Sequence, residues 1–295
     1  MLATTFLICF LPAADPSSSD SSPLAFVQAI KAKHEETLKH LKSWAGEAEV
    51  KFSTGPTTRS HGTVKFAYDA ASNRRRWNWK SIELVTDGVN LTKECGEFNG
   101  MFKDGSFFRF GPLRANRRRP FVATIHPTDS GHFSGHRSMD FDPTFFFTLE
   151  ENDFDYLEHL VNLEKAGLKI VTETDGNTST FTTSISTNTQ EIVFNNQGFL
   201  LTFQSTSPTV RTVAKLEWEE RNGAWVPLKY SFQRWDDPKL TDPLKTRFVT
   251  FKNSRVNEAL PDDEFSLAAL GLGPDDEIQD TRNNVPAEPM EDAEP

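Results

Sequence analysis

The sequence predicts a mainly β protein with helices (α+β). A single large curved antiparallel sheet would carry an N-terminal helix and a mid-chain helix on its concave side. Three observations predict this. Apolar residues alternate with polar ones at period two in segment after segment, as in "TSTFTTSISTNTQEIVFNNQGFLLTFQS", residues 178–205, the mark of strands with one buried face. Helical spacing occurs in only two stretches. The chain also holds 25 Phe against 3 Tyr, and rings without a polar handle belong in a dry interior.

The elements follow in order. Leu2 to Leu11 is an apolar run followed by "PAADP", the pattern of a secretory signal peptide over 1–14 and too short to span a bilayer as a helix. Residues 15–23 form a Ser-rich linker. Ser22-Pro23 supplies an N-cap and a proline at the first helical position. Val27, Ile30, Leu38, Leu41 and Trp44 then mark one helix face running to about Trp44, with Gly46 as the stop. Strands follow at "EAEVKFS", "GTVKFAYD" and "RRRWNWK", and Asp87-Gly88 is a hairpin signal inside "SIELVTDGVNLTK". Residues 97–112 continue with five phenylalanines, and 113–143 read as irregular. "DFDYLEHLVNLEKAG" reads as the mid-chain helix, with Gly167 ending it. After it come "LKIVTETD", the meander, a long hairpin around Asn222-Gly223 and a last strand "TRFVTFKNSRVN". The domain is 24–281, and 282–295 is an acidic tail.

Charge excludes some functions. The net charge is −10, but residues 274–295 hold eight acidic residues and one basic one, leaving −3 for the rest. A nearly balanced body gives no footprint for nucleic acid. Two cysteines, Cys9 and Cys95, exclude a disulfide scaffold and a Cys-based zinc site. No G-x-S-x-G, H-E-x-x-H or P-loop pattern is present. His126, His132 and His136 with Asp129, Asp140 and Asp142 gather metal-ligand types in one stretch, yet their spacing follows no zinc motif. Arg74, Arg75 and Arg76, with Arg114, Arg117, Arg118 and Arg119, form two basic clusters. They are either solvated surface charge or a cationic rim that meets lipid phosphates or an acidic partner.

The element order, with Gly62-Thr63-Val64-Lys65-Phe66, Arg76-Trp77, Leu84-Val85-Thr86-Asp87-Gly88 and "NGAWVP" from Asn222 to Pro227, resembles the bacterial periplasmic lipoprotein carriers of the LolA/LolB-like family. Residues 94–143 and "AALGLG" depart from its pattern. The resemblance implies an unclosed barrel around an apolar cavity with helices as a lid, and hence an exported, non-enzymatic carrier of lipid or acylated lipoprotein. It would need no cofactor and no metal, and would work as a monomer in the periplasm or cell envelope, in peripheral contact with membrane or envelope proteins. On this reading Phe66, Trp77, Phe181, Ile192, Phe194, Leu201 and Phe203 line the cavity. Arg74, Arg75, Arg76, Arg117, Arg118 and Arg119 form its rim. Two rival readings are a metal- or His-dependent enzyme using residues 126–142 and a packed envelope module without ligand.

Overall fold

The computed structural model describes residues 23–55, 58–86, 91–110, 122–127, 150, 151, 154, 155, 160, 162, 163, 165, 170–273 and 275–282. Helix α1 spans Pro23–Leu38. Strands β1 (Ser43–Thr54), β2 (Thr58–Asp69), β3 (Arg74–Thr86), β4 (Leu91–Lys103), β5 (Ser106–Phe110) and β6 (Val122–Pro127) follow. A small separate pair is formed by β7 (Glu150–Glu151) and β8 (Phe154–Asp155). The chain continues with β9 (Ile170–Thr174), β10 (Thr178–Ile185), β11 (Asn188–Asn195), β12 (Leu200–Thr206), β13 (Arg211–Arg221), β14 (Ala224–Trp235), β15 (Lys245–Val256) and β16 (Glu277–Asp280).

One sheet takes all strands except β7 and β8, in the order β16-β6-β5-β4-β3-β2-β1-β15-β14-β13-β12-β11-β10-β9. It is curved and unclosed, with β16 and β9 as its edges. Nearly every pair joins sequence neighbours, as the hairpin signals imply. The exceptions are β1 with β15, which brings the last long strand beside the first, and β16 with β6, which is parallel.

Several expectations change. The first helix stops at Leu38, not near Trp44. Leu41 lies in the connection, and Trp44 enters β1, with its ring 4.4 Å from Phe66 and 5.1 Å from Phe251. The three-residue spacing of Leu38, Leu41 and Trp44 is a coincidence of two elements buried on one core. Gly46 is no helix stop. It lies at a β-bulge in β1, where a Cβ would stand 2.9 Å from the Lys252 carbonyl oxygen. The mid-chain helix is not shown as an element: Phe154 and Asp155 are strand, the described residues Leu160, Asn162, Leu163 and Lys165 have helical backbone, and the rest of 153–167 lies outside the described residues. "VATIHP", read as irregular, is β6. Asp87-Gly88 lies outside the described residues, but Thr86 pairs with Leu91, as a hairpin requires.

The two faces of the sheet are covered differently. Inward side chains from α1 and from strands across the sheet join one apolar cluster, from Val27 and Trp44 through Phe107 and Phe181 to Phe251. On the convex face, the segment after β15 runs as a strap across β1 to β5 before adding β16 beside β6. Phe265 and Leu270 of the strap are fully buried against Ala45, Ala67, Met101 and Ala123.

Candidate functional site on the concave face

Strand register places an apolar row across the concave face. Phe181 pairs with Ile192, Ile192 with Phe203, Phe203 with Ala214 and Ala214 with Phe232. Side chains at such directly paired positions point to the same face about 5 Å apart. One step toward the strand ends, the parallel row is polar: Thr183, Gln190, Ser205, Thr212 and Arg234. The concave face thus changes from apolar to polar at the mouth bounded by these strand ends.

Helix α1 covers the Phe181 end of this row. Val27, Ile30, His34 and Thr37 form its buried face, at spacings of three and four. Phe26 lies 5.5 Å from Phe181, and His34 meets Phe199 edge-on at 5.0 Å. Gly198, between β11 and β12, allows the approach: it has φ +83°, and a Cβ there would stand 2.7 Å from the Ile30 carbonyl oxygen. Of the four helix positions described as buried, two are polar. Thr37 turns its hydroxyl to its own helix, donating to the Lys33 carbonyl at 2.8 Å. The C-terminal end of α1 is tied down. Asn257 donates to the His40 and Asn222 carbonyls and accepts from the Lys42 amide at 2.7 Å.

Of the residues expected to line a cavity, Phe66, Trp77, Phe181, Ile192, Phe194 and Phe203 all belong to the main cluster, and Phe181, Ile192 and Phe194 have no exposed surface. They are brought together, but in this closed arrangement they are a packed core. The Trp77 ring lies flat over Gly100 of the next strand and stacks on Phe107 at 5.9 Å. Leu201 is a correction. Val193 pairs with Thr202 but Phe194 with Leu200, so Leu201 is the extra residue of a bulge. Leu200 takes the buried place, and Leu201 is half-buried.

The arginines divide. Arg117, Arg118 and Arg119 lie outside the described residues, as does Arg114. Arg74 and Arg76 are no open rim: they hold the strap. Arg74 bridges Asp69 and Asp262, each at 2.9 Å, and lies over the Phe265 ring. Arg76 is buried, pairs with the Glu264 carboxylate and donates from Nε to the Glu264 carbonyl at 2.7 Å. Arg255 reaches the other Glu264 oxygen at 2.9 Å. Desolvation raises the Glu264 carboxyl, but the Arg255 hydrogen bond and the Arg76 charge outweigh it and hold the group below the usual carboxylate range. Arg75 lies over the Phe102 ring, its guanidinium carbon 5.0 Å from the centroid.

Of the His/Asp group, only His126 is among the described residues. It is a buried residue of β6, with Nε2 3.0 Å from the Thr124 hydroxyl and Nδ1 3.1 Å from the Thr281 hydroxyl. Among the described residues, no three His, Cys, Asp or Glu side chains stand together as a metal site would need.

Arg247 was not singled out from the sequence. It pairs with Phe232 on one side and Phe52 on the other, so it continues the apolar row on the same face. The signal was present in "TRFVTF", where Arg247 has the phase of Val249 and Phe251.

Comparisons add fold-level likeness only. No family model matches the chain, and no curated protein matches it. Among solved structures, it is similar to a DUF1329 family protein from Desulfovibrio piger at 11% identity and TM-score 0.45, over 85% of this chain and 100% of that one. A β-barrel-like DUF1849 protein from Brucella abortus is similar at 10% identity and TM-score 0.29, over 74% and 99%. A porin-like protein from Bacteroides uniformis follows at 8% and 0.25, over 73% and 96%. At such low identities and TM-scores, nothing about this chain's chemistry follows from them.

Proposed function

We propose that this protein is a non-enzymatic binder or carrier of lipid acyl chains, exported to the cell envelope, with α1 as the movable cover of the binding face. The observation that carries this is the apolar row from Phe181 to Phe232, covered at one end by α1, on which two of the four positions described as buried are polar. Such a cover gives up less on leaving than a fully apolar helix would. Each methylene that replaces it on the row is worth about 0.8 kcal/mol. Asn257 holds the C-terminal end of α1, so the helix would swing from there and open over Phe181. An acylated lipoprotein or a free lipid meets these requirements, and no catalytic group is called for.

The test is uptake of a fluorescent fatty acid by the full chain. Cysteines at Phe26 and Phe181, in a background with Cys9 and Cys95 changed to Ser, would fasten the helix to the row. Oxidation should block uptake and reduction should restore it. A second reading, a packed envelope module, is favoured by the complete burial of Phe181, Ile192 and Phe194. It becomes the better account if no probe enters and native mass spectrometry of gently purified protein finds no lipid.

A further inference from the structure

We propose that the hydroxyls of Thr172 and Thr183 receive the carbonyl oxygen of the bound ligand, an acyl chain linked as a neutral ester or amide. The inference rests on the acyl-binding reading above and makes it specific: the linkage, not a charged head, is recognised at the covered end of the row. Thr183 follows Phe181 by two residues on β10, and Thr172 stands directly opposite Phe181 on β9. Both therefore face the concave side with Phe181. Thr183 is 2% exposed. The Oγ1 atoms of both threonines are enclosed, with no hydrogen-bond partner among the described residues. Phe26 of α1 meets Phe181 at 5.5 Å, so departure of the helix would open the row beside the two hydroxyls.

A buried hydroxyl without a partner is costly, and two neighbouring ones call for an occupant. Strand register sets their separation. Thr183 pairs with Ile170, two residues from Thr172, so the threonines are diagonal neighbours, about 7–8 Å apart at the backbone. From there both side chains can reach one oxygen at an ordinary hydrogen-bond length of about 2.8 Å. A threonine hydroxyl donates or accepts, and a carbonyl oxygen has two lone pairs to take both donors. Ile170, Phe181, Gln190 and Ile192 flank the pair on this face, and none of these carries a charge. Two neutral hydroxyls do not offset the desolvation of a buried carboxylate, whereas they match a neutral carbonyl. From Phe181 the apolar row runs through Ile192, Phe203 and Ala214 to Phe232, four strand intervals or about 19 Å. This gives the hydrocarbon tail its course, with the linkage held at the β9–β10 end.

The experiment measures displacement of a fluorescent fatty acid from the full chain at pH 8 by methyl laurate, N-methyl lauramide, dodecyl methyl ether and laurate. The ester and the amide should bind roughly tenfold more tightly than the ether, which lacks the carbonyl. Laurate should bind no more tightly than the ester. Thr183→Val keeps the shape of the side chain and removes the hydroxyl. It should bring the ester and amide down to the level of the ether and leave the ether unchanged, while its urea midpoint should not fall. Thr183→Ser, which keeps the hydroxyl, should preserve the difference. If Thr183→Val fails to fold, Thr172→Val carries the same comparison. Equal affinity for ester, amide and ether in the wild type, tighter binding of laurate than of the ester, or an equal loss of ester and ether in the valine variant overturns the carbonyl assignment and leaves acyl binding standing. A lower urea midpoint for Thr183→Val with the ester still preferred marks a hydroxyl that serves the fold through a structural water, and also overturns it. Failure of the fluorescent fatty acid to bind at all overturns the acyl-binding reading itself.

Discussion

Replacing Glu264 by alanine should detach the strap, and the cost follows from its surroundings. Arg76, its partner, has a side chain 9% exposed, and Glu264 itself is 23% exposed. Removing one member of a buried pair costs about 3–5 kcal/mol, because the remaining charge stays buried. Here Arg76 keeps its hydrogen bond to the residue 264 carbonyl and its contact with Asn78. With the partial exposure of Glu264, the expected loss is about 2–3 kcal/mol, of which the exposed Arg255 pair supplies less than about 0.5. Asp262 is the internal control. It makes an ion pair of 2.9 Å to Arg74, but its side chain is 93% exposed and Arg74 retains Asp69. Asp262→Ala should therefore cost under about 0.5 kcal/mol. Urea unfolding followed by tryptophan fluorescence measures both. Hydrogen exchange at the Thr281 amide, which donates to the Ile125 carbonyl, reports release of β16. If Glu264→Ala costs no more than Asp262→Ala, burial does not govern this network and the strap is held by Phe265 and Leu270 alone.

Other outcomes follow from the same geometry. Phe203→Ala should cost about 3–5 kcal/mol as a core truncation, whereas Leu201→Ala, at the bulged half-buried position, should cost under about 1 kcal/mol; urea midpoints distinguish them. Gly198→Ala adds a Cβ at positive φ against the Ile30 carbonyl, so about 1–3 kcal/mol of strain is expected. The variant should loosen α1 and speed the uptake of a fluorescent fatty acid, seen by stopped flow. Asp69 is drawn upward by desolvation but held low by the Ser72 and Arg74 hydrogen bonds, and Glu264 is held low by its arginines. A depressed carboxylate contributes stability above its unfolded value, near 4, and loses it as pH falls through the lower folded value. The urea midpoint should thus fall as pH drops below about 4, and Glu264→Gln should flatten part of that fall.

Much of the sheet was legible because period two is a local signal. Phe181, Ile192 and Phe194 fall inward as the alternation says. The pattern failed where geometry is not local. The bulge that moves Leu201 off the core is set by how β11 meets β12, and "FLLTF" reads equally well in either phase. Trp44 looked helical because two elements happened to bury residues three apart. β16 escaped notice because all four of its residues are exposed, so no alternation marks it; only backbone pairing with β6 makes it a strand. Asp104-Gly105 has the left-handed backbone of a tight hairpin, at φ 53° and 70°, and "KDGS" could have been read that way. The roles of Arg74 and Arg76 in holding the strap were out of reach, because their strap partners Asp262 and Glu264 lie 188 positions further along the chain.

The two faces of the sheet divide the work. The convex face is fastened with groups that resist exchange: a buried arginine–glutamate pair, carbonyls that accept from Asn78 and Lys103, and two fully buried apolar anchors. The concave face is covered near Phe181 by one helix, and part of that cover is an edge-on histidine contact and a threonine turned to its own backbone. Apolar contact is non-directional, so rings on this face can meet an acyl chain as well as a helix. Ion pairs cannot be replaced in that way without leaving a charge unmet. On the proposed reading, a sheet that opens on one side without losing register needs this asymmetry. The strap fixes β1 to β6, while β9 to β14 bear the helix that, on the proposed reading, would move.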